Sequence, residues 1–485
     1  MTTIPTTTLA PGLEISRIVT GLWQIADMER DGTLPDFLPL ANSMKDYAAR
    51  GFYSFDMADH YGSAEDICGV YRQHFMQEQP IHAFTKWVPK PGAMTREKVR
   101  EAIQVSLNRL QTEQIDLLQF HAWHYPDPNW LEALFLLQEL KEEGLIKHLG
   151  LTNFDTAHLQ VVVESGIEVV SNQVCFSLLD MRAAGAMSDY CLKSGVRLLA
   201  FGTLAGGFLS ERWLDQPEPD VTDSTLTWSQ MKYKRFIDSA GGWSPFQSLL
   251  TSLDELAKAK NTSIANLATR FILEHPAVGA VIIGARLGEN NHSERNARMF
   301  SFSWTNEDQK TIKTALKSFN AIPGDCGDEY RKPPFLTASG DLSHHFDEFP
   351  SPYPTVTGSD GRTKALSGTV WEDVAGFSRA VRKGNLISIS GTTATLGDRA
   401  IGGQDPAAQT HFVIDKLEGA LQALGSKLED VTRTRIFIKN LEDWEAIARA
   451  HGQRFGDIQP ANTMVRADLI GDEYLVEIEA EAQVD

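Results

Sequence analysis

The amino-acid sequence predicts an α/β fold in two parts, a (β/α)8 TIM barrel followed by a smaller α+β domain. Three observations carry this. Eight short apolar runs alternate with amphipathic stretches up to about residue 285, the order that builds a closed parallel sheet. After residue 320 the periodicity stops in a segment rich in Pro, Ser, Gly and Asp, the composition of a linker. Beyond residue 366 strand-like runs outnumber helical ones, so the second part is not another barrel.

The eight runs are 17–23, 53–58, 81–87, 115–121, 146–153, 168–175, 196–203 and 278–285. Between them, stretches such as 95–110 and 131–143 repeat apolar residues at three- and four-residue intervals, as helices do when one face packs on a sheet. A doubly wound open sheet would alternate in the same way. Its first strand should then enter a Gly-rich phosphate turn, and Gly-Leu-Trp-Gln at 21–24 is not one. The division expected is a barrel over 1–325, a Pro/Ser/Gly-rich linker over 326–365 and a second domain over 366–485. Pro333-Pro334 and the Phe-Pro-Ser-Pro-Tyr-Pro stretch at 349–354 make the linker extended. The second domain reads as two hairpin-like strands (376–381, 386–390), a helix (405–424), a strand (431–438), a helix (441–455) and two closing strands (463–469, 475–482).

With 485 residues, 42% of them hydrophobic, the chain can fill two cores. Its formal charge of −19 argues against nucleic acid or an anionic membrane surface as partner, because both need a basic patch to offset phosphate repulsion. The four cysteines, Cys68, Cys175, Cys191 and Cys326, lack CxxC or zinc-like spacing, so neither a disulfide framework nor a metal centre is expected. His60, His121 and His124 lack the HExxH pattern of a metal helix. The N-terminus has no signal-peptide pattern and no run of twenty apolar residues occurs, so a soluble cytoplasmic protein is expected.

Asp56, Lys86 and His121 each end a strand run, and Tyr61 follows the first of them closely. In a parallel barrel that rim is where active sites are built. An unperturbed tyrosine titrates at about 10. An ammonium beside it favours the phenolate, so Lys86 is expected to lower the Tyr61 pKa. Asp56 would keep Lys86 charged and aimed. His121 would donate to a carbonyl oxygen where negative charge develops.

Phe-Asp-Met-Ala-Asp-His-Tyr-Gly-Ser-Ala-Glu at 55–65, with Thr85-Lys86, Leu118-Gln119-Phe120-His121 and Gly150-Leu-Thr-Asn-Phe154, resembles the aldo-keto reductase family in order and spacing. The resemblance implies an enzyme that reduces a carbonyl with NADPH, or with NADH as the second choice. It makes Asp56, Tyr61, Lys86 and His121 the catalytic set. It also implies a cofactor contact from Thr152, hydrogen bonds from Asn153 and Gln173 to the carboxamide, and Phe201 stacking on the nicotinamide where the family usually has tyrosine. Gly202, Thr203, Leu204 and Gly207 would lie along the pyrophosphate, while Arg286, Glu289 and Asn290 would flank the adenosine. Arg286 leans the choice toward NADPH because guanidinium suits a 2′-phosphate. Trp23, Trp87 and Trp123 are expected to line a substrate pocket for an apolar or flat molecule.

Ile387-Ser-Ile-Ser-Gly391, Arg433-Thr-Arg-Ile-Phe-Ile-Lys439, Gln459-Pro-Ala-Asn-Thr463 and Val476-Glu-Ile-Glu-Ala480 resemble the RidA family of chorismate-mutase-like fold. That likeness implies a homotrimer with clefts between subunits. Glu477 matches the cleft glutamate, Phe377 stands where tyrosine is common and Asn462 replaces the arginine that holds a substrate carboxylate. The loss of that charge favours assembly or ligand binding over deaminase chemistry, and cross-strand pairing of Arg433 and Arg435 with the glutamates of the last strand is the simpler role for those residues. The leading expectation is therefore a fusion protein that reduces an aldehyde, ketone or imine. A bifunctional reductase and imine deaminase, and a non-catalytic NADP(H)-binding regulatory protein, remain the alternatives.

Overall fold

A computed structural model describes residues 3–25, 35–220, 226–289, 291–336 and 340–484. The chain opens with a hairpin, β1 (Thr6–Ala10) and β2 (Leu13–Ser16), paired antiparallel. Pro11 and Gly12 form its two-residue turn, Gly12 at φ 74°. That is the left-handed value which proline at the first turn position and glycine at the second allow. Eight parallel strands follow: β3 (Ile18–Gly21), β4 (Ser54–Asp56), β5 (His82–Trp87), β6 (Ile115–Phe120), β7 (Ile146–Thr152), β8 (Val169–Cys175), β9 (Arg197–Phe201) and β10 (Val278–Gly284). They close in sequence order, with β10 returning to β3, so the expected TIM barrel is present.

The barrel interior is a packed core. Val19, Phe84, Leu117, Leu199, Ala280 and Ile282 meet Leu9, Leu13 and Ile15 of the hairpin, which seals the N-terminal end. Full burial of each large apolar side chain contributes about 2 kcal/mol. The surrounding helices are started by side-chain caps that accept an otherwise orphaned N–H. Thr95 caps Arg96–Leu110, Asp155 caps Thr156–Glu164, and Thr227 and Gln230 form a capping box at the head of Trp228–Ser239.

The C-terminal unit is α+β. Its sheet runs β11 (Thr355–Thr357), β12 (Arg362–Ala365), β13 (Ala380–Lys383), β14 (Leu386–Thr393), β19 (Val476–Gln483), β17 (Val431–Ile438), β18 (Ala461–Arg466). Only β17 and β18 pair in parallel. A small hairpin, β15 (Thr395–Leu396) and β16 (Arg399–Ala400), stands apart. Inward residues alternate along β17 and β19 and pack under the helices Pro406–Ala423 and Trp444–Phe455. On the opposite face Arg435 reaches Glu479 at 2.6 Å and Glu481 at 3.0 Å.

The stretch read as a linker, 326–365, is structured at both ends. A short helix, Asp328–Arg331, folds back on the barrel, and β11 and β12 add two strands to the C-terminal sheet. Composition hides both, because β11 is an exposed edge strand and the helix is a single turn. Among the described residues no helix is long and apolar enough to cross a membrane.

The two units are docked along helices Thr156–Glu164 and Pro406–Ala423. Gly419 makes the approach possible, since a Cβ there would lie 2.5 Å from the Pro126 carbonyl oxygen. Asp155 both caps its helix and bonds His158 Nδ1 at 2.6 Å, while His158 Nε2 meets Asp415 Oδ2 at 2.9 Å across the interface. Asp415 Oδ1 is held in turn by Arg454 at 2.5 Å. With carboxylates on both ring nitrogens, His158 needs both protons. Burial alone would lower its pKa, but Asp155 and Asp415 push it up to about 9. A histidine whose folded pKa lies above its unfolded value of about 6.5 stabilises the fold fully below that value and progressively loses the contribution as pH rises through about 9. The shift corresponds to about 3 kcal/mol. The thermal transition of the wild-type protein should therefore fall more steeply between pH 7 and 10 than that of His158→Gln. Parallel scanning-fluorimetry profiles for the two would rule the triad out as a source of interdomain stability.

Candidate active site

Two residues beyond the apolar barrel layer, the same strands turn polar. Lys86 lies two positions after Phe84 on β5 and Gln119 two after Leu117 on β6, so both point inward. Lys86 Nζ donates to Asp56 Oδ2 at 2.5 Å and to the Met57 carbonyl oxygen at 2.9 Å. Asp56 Oδ1 accepts from Gln119 Nε2 at 2.8 Å and from Gln173 Nε2 at 2.7 Å. Burial lowers the Lys86 pKa and the Asp56 charge opposes it. Lys86 Nζ sits 5.2 Å from the centre of the Tyr61 ring.

These contacts correct two electrostatic expectations. The Tyr61 pKa is raised well above 10, first by burial and then by Asp56, Tyr330 and Asp59. Lys86 is already neutralised by Asp56, so the phenol stays protonated. His121 Nδ1 lies 3.2 Å from the Thr152 carbonyl oxygen, and a carbonyl only accepts. The proton therefore sits on Nδ1 and Nε2 is an acceptor, buried and unpartnered. Burial, with Arg331 adding to it, holds the His121 pKa well below 6.5. A second proton that would let Nε2 donate is thus opposed.

The polar layer opens into a cavity of about 720 Å³ that brings together Asp56, Tyr61, Lys86 and His121 with Trp23, Trp123, Thr152, Asn153, Gln173, Phe201, Gly202, Thr203, Leu204, Gly207, Arg286 and Glu289. Asn290 lies outside the described residues. Trp87 does not line it. It follows the inward Lys86 by one residue, so strand alternation turns it to the helix layer, where it packs 5.7 Å from Phe120. Trp23 and Trp123 flank the chemistry at 5.0 Å from Tyr61 and 4.3 Å from His121, measured between ring centres.

The residues present fit a nicotinamide dinucleotide. Asn153, at φ 59°, lines the cavity and has a buried, unpartnered Oδ1. Gln173 spends its amide N–H groups on Asp56 and on Gln119 Oε1, so only its Oε1 can serve a carboxamide. Gly202 and Gly206 are required by crowding: a Cβ at Gly202 would lie 2.3 Å from Tyr233 Oη, and one at Gly206 2.9 Å from the Ser229 carbonyl oxygen. Arg286 faces Glu289 loosely at 3.8 Å, both largely exposed.

Sequence reasoning missed many of the cavity residues, among them four with polar side chains at or near the tetrad. Gln24 contributes a buried, unpartnered Oε1, Lys232 comes from helix Trp228–Ser239, and Tyr330 and His345 come from the stretch read as linker. Only the Gln24 position, just past a strand end, carried a local signal. His124, weighed as a metal ligand, turns away and bonds Gln422 of the second unit at 2.7 Å.

In the C-terminal unit Phe377 and Glu477 are brought together around Arg379 and Gly391. The Arg379 guanidinium lies 6.0 Å from the Phe377 ring and donates to the Gly391 carbonyl oxygen at 3.0 Å. Burial raises the Glu477 pKa, with Arg379 opposing. Asn462 does not join them. It sits on β18, beyond β17 from the strand of Glu477, and donates to Thr434 Oγ1 at 2.9 Å.

The fold and this rim define a barrel oxidoreductase, and the chain belongs to the aldo/keto reductase family, which residues 17–317 match. Residues 370–484 match the Endoribonuclease L-PSP family. Aldo-keto reductase YhdN of Bacillus subtilis is 26% identical over 337 residues, 67% of this chain and 96% of that protein. An uncharacterized protein of Streptomyces coelicolor, SCO2049, is 35% identical over 125 residues, 26% of this chain and 93% of its own. The glycerol dehydrogenase AKR11B4 from Gluconobacter oxydans superposes with a TM-score of 0.51 at 22% identity over 67% of this chain and 98% of that one, a likeness of fold.

Removing one partner of a buried ion pair strands the other charge and costs about 3 to 5 kcal/mol. Asp56→Asn should lower the urea-unfolding free energy by about that amount. The double variant Asp56→Asn/Lys86→Met should recover most of it, and a double variant no more stable than the single would contradict the pairing.

Proposed function

We propose that the chain is an NADPH-dependent reductase of an aldehyde, a ketone or an imine, with Tyr61 as the proton donor. The observation that carries this is the Tyr61 phenol, kept protonated at the cavity wall beside the Lys86–Asp56 pair. A bound nicotinamide dinucleotide would supply the hydride. Tyr61 would then give its proton to the oxygen or nitrogen that takes the π-electron pair as the hydride bonds to carbon, leaving a phenolate beside the Lys86–Asp56 pair. His121 Nε2, an acceptor, takes a hydrogen bond from a hydroxyl on substrate or product. Asn153 Oδ1 and Gln173 Oε1 would accept from the carboxamide and Phe201 would offer its ring face. Arg286, held only loosely by Glu289, is free to meet a 2′-phosphate.

Tyr61→Phe should lower kcat for an aldehyde by about two to four orders of magnitude, the usual share of a general acid, while NADPH still quenches protein fluorescence. Arg286→Ala in the same assay should raise KM for NADPH more than for NADH. Full turnover by Tyr61→Phe would defeat the assignment, and tight NADPH retention by a wild-type protein without turnover would favour the regulatory alternative.

The C-terminal unit is read as an assembly and docking module rather than a deaminase, because Asn462 carries no charge and its amide is committed to Thr434. Its sheet face opposite the helices exposes Leu386 on β14 and Val465 on the edge strand β18, at 57% and 45%. This supports the homotrimer. Light scattering on the intact chain should report three copies, and a monomer would refute it.

A further inference from the structure

Lys232 projects from helix Trp228–Ser239 into the same cavity as Tyr61, and the tetrad chemistry does not use it. Its Nζ donates to Tyr330 Oη at 2.8 Å and lies 4.4 Å from the centre of the Tyr330 ring, 5.4 Å from that of Phe201 and 5.6 Å from that of Tyr233. The Tyr330 ring in turn stands 6.0 Å from that of His121. The couple is therefore one aromatic ring away from the reacting centre.

Its charge is not neutralised by contact. Among the described residues Lys232 makes no ion pair, whereas Lys86 is paired with Asp56 and Arg286 with Glu289. Glu329, the carboxylate that most influences Lys232, is held by Arg182 at 2.9 Å. An ammonium has three N–H donors, and one is spent on Tyr330. Tyr330 Oη receives that bond and keeps its own O–H to give. Two donors, one of them charged, thus stand side by side in the cavity, against the rings of Phe201 and Tyr233. An anion reaching it must be drawn by this local charge, because the chain as a whole carries −19.

We propose that Lys232 and Tyr330 form an anion subsite that holds a carboxylate of the carbonyl substrate, one oxygen on Lys232 Nζ and the other on Tyr330 Oη. The substrates are then oxo acids and carboxylate-bearing aldehydes or ketones. The inference rests on the reductase reading above and goes further by naming the substrate class. Charge-assisted bonds of this kind, away from bulk water, discriminate strongly against a neutral ester of the same shape.

The test uses the full chain with NADPH and six aldehydes, ortho-, meta- and para-carboxybenzaldehyde and their methyl esters, whose ring positions act as a ruler. At least one acid should be preferred to its ester in kcat/KM. Lys232→Gln should cut that preference about tenfold or more, through KM, as loss of a charge-assisted hydrogen bond predicts. Tyr330→Phe should cut it by a smaller factor and keeps the question answerable if Lys232→Gln folds poorly. If every ester turns over as well as its acid, the subsite is refuted while the reductase reading stands. If Lys232→Gln weakens acids and esters equally and raises the NADPH dissociation constant in step, the couple serves the cofactor and the proposal is overturned. If none of the six is reduced, the reductase reading falls and the subsite with it.

Discussion

Everything at the barrel mouth depends on one buried ion pair. Lys86 places an ammonium where water does not reach, which is tolerable because Asp56 lies 2.5 Å away and the Met57 carbonyl takes a second N–H. Asp56 in turn needs its other oxygen satisfied, and Gln119 and Gln173 do this from across the barrel. One carboxylate thus ties β4, β5, β6 and β8 into a polar layer resting on the apolar layer of Phe84, Leu117 and Leu199. The alternation that puts Phe84 inward puts Lys86 inward as well. The apolar layer and the polar layer beside Tyr61 are consequences of the same strand register.

The barrel, and the meeting of Asp56, Tyr61, Lys86 and His121 in one cavity, were legible because each signal is local. An apolar run that ends in a charged or polar residue names both a strand and the side chain at its rim. What failed needed burial or distance. Trp87 was read as rim although strand alternation turns it outward. The direction of the Tyr61 shift depends on how deeply the ring is covered and on Lys86 being already paired, neither visible in a string of residues. The acceptor state of His121 Nε2 follows from where the Thr152 carbonyl points. Lys232 and Tyr330 meet across 98 positions of sequence, and Tyr330 stands in a Pro-rich stretch whose composition reads as linker.

That stretch changes what the second unit does for the first. Arg331 bonds the Ala122 and Asn153 carbonyl oxygens at 2.9 and 2.7 Å, fixing the returning segment to the two loops that carry His121 and Asn153. Farther on, Tyr353 is buried beside Gly419, where the C-terminal helix touches the barrel. Between these anchors His345 faces Trp123 at 4.8 Å and lines the cavity. The segment that leads to the docked C-terminal unit therefore forms one wall of the cavity, a structural role that requires no deaminase chemistry from Glu477.

The two lysines of the cavity show why proximity alone does not assign a role. Lys86 is the nearer to Tyr61, yet its charge is cancelled by Asp56 and two of its donors are spent, so it has little left for a ligand. Lys232 is farther off, but its one bonded partner is a neutral phenol and its field is not cancelled by contact. In a medium of low dielectric an uncompensated cation dominates over a compensated one even at greater distance. Under the proposed roles the two duties are separate, so a substrate charge would be met at Lys232 and not at the Lys86–Asp56 pair beside Tyr61.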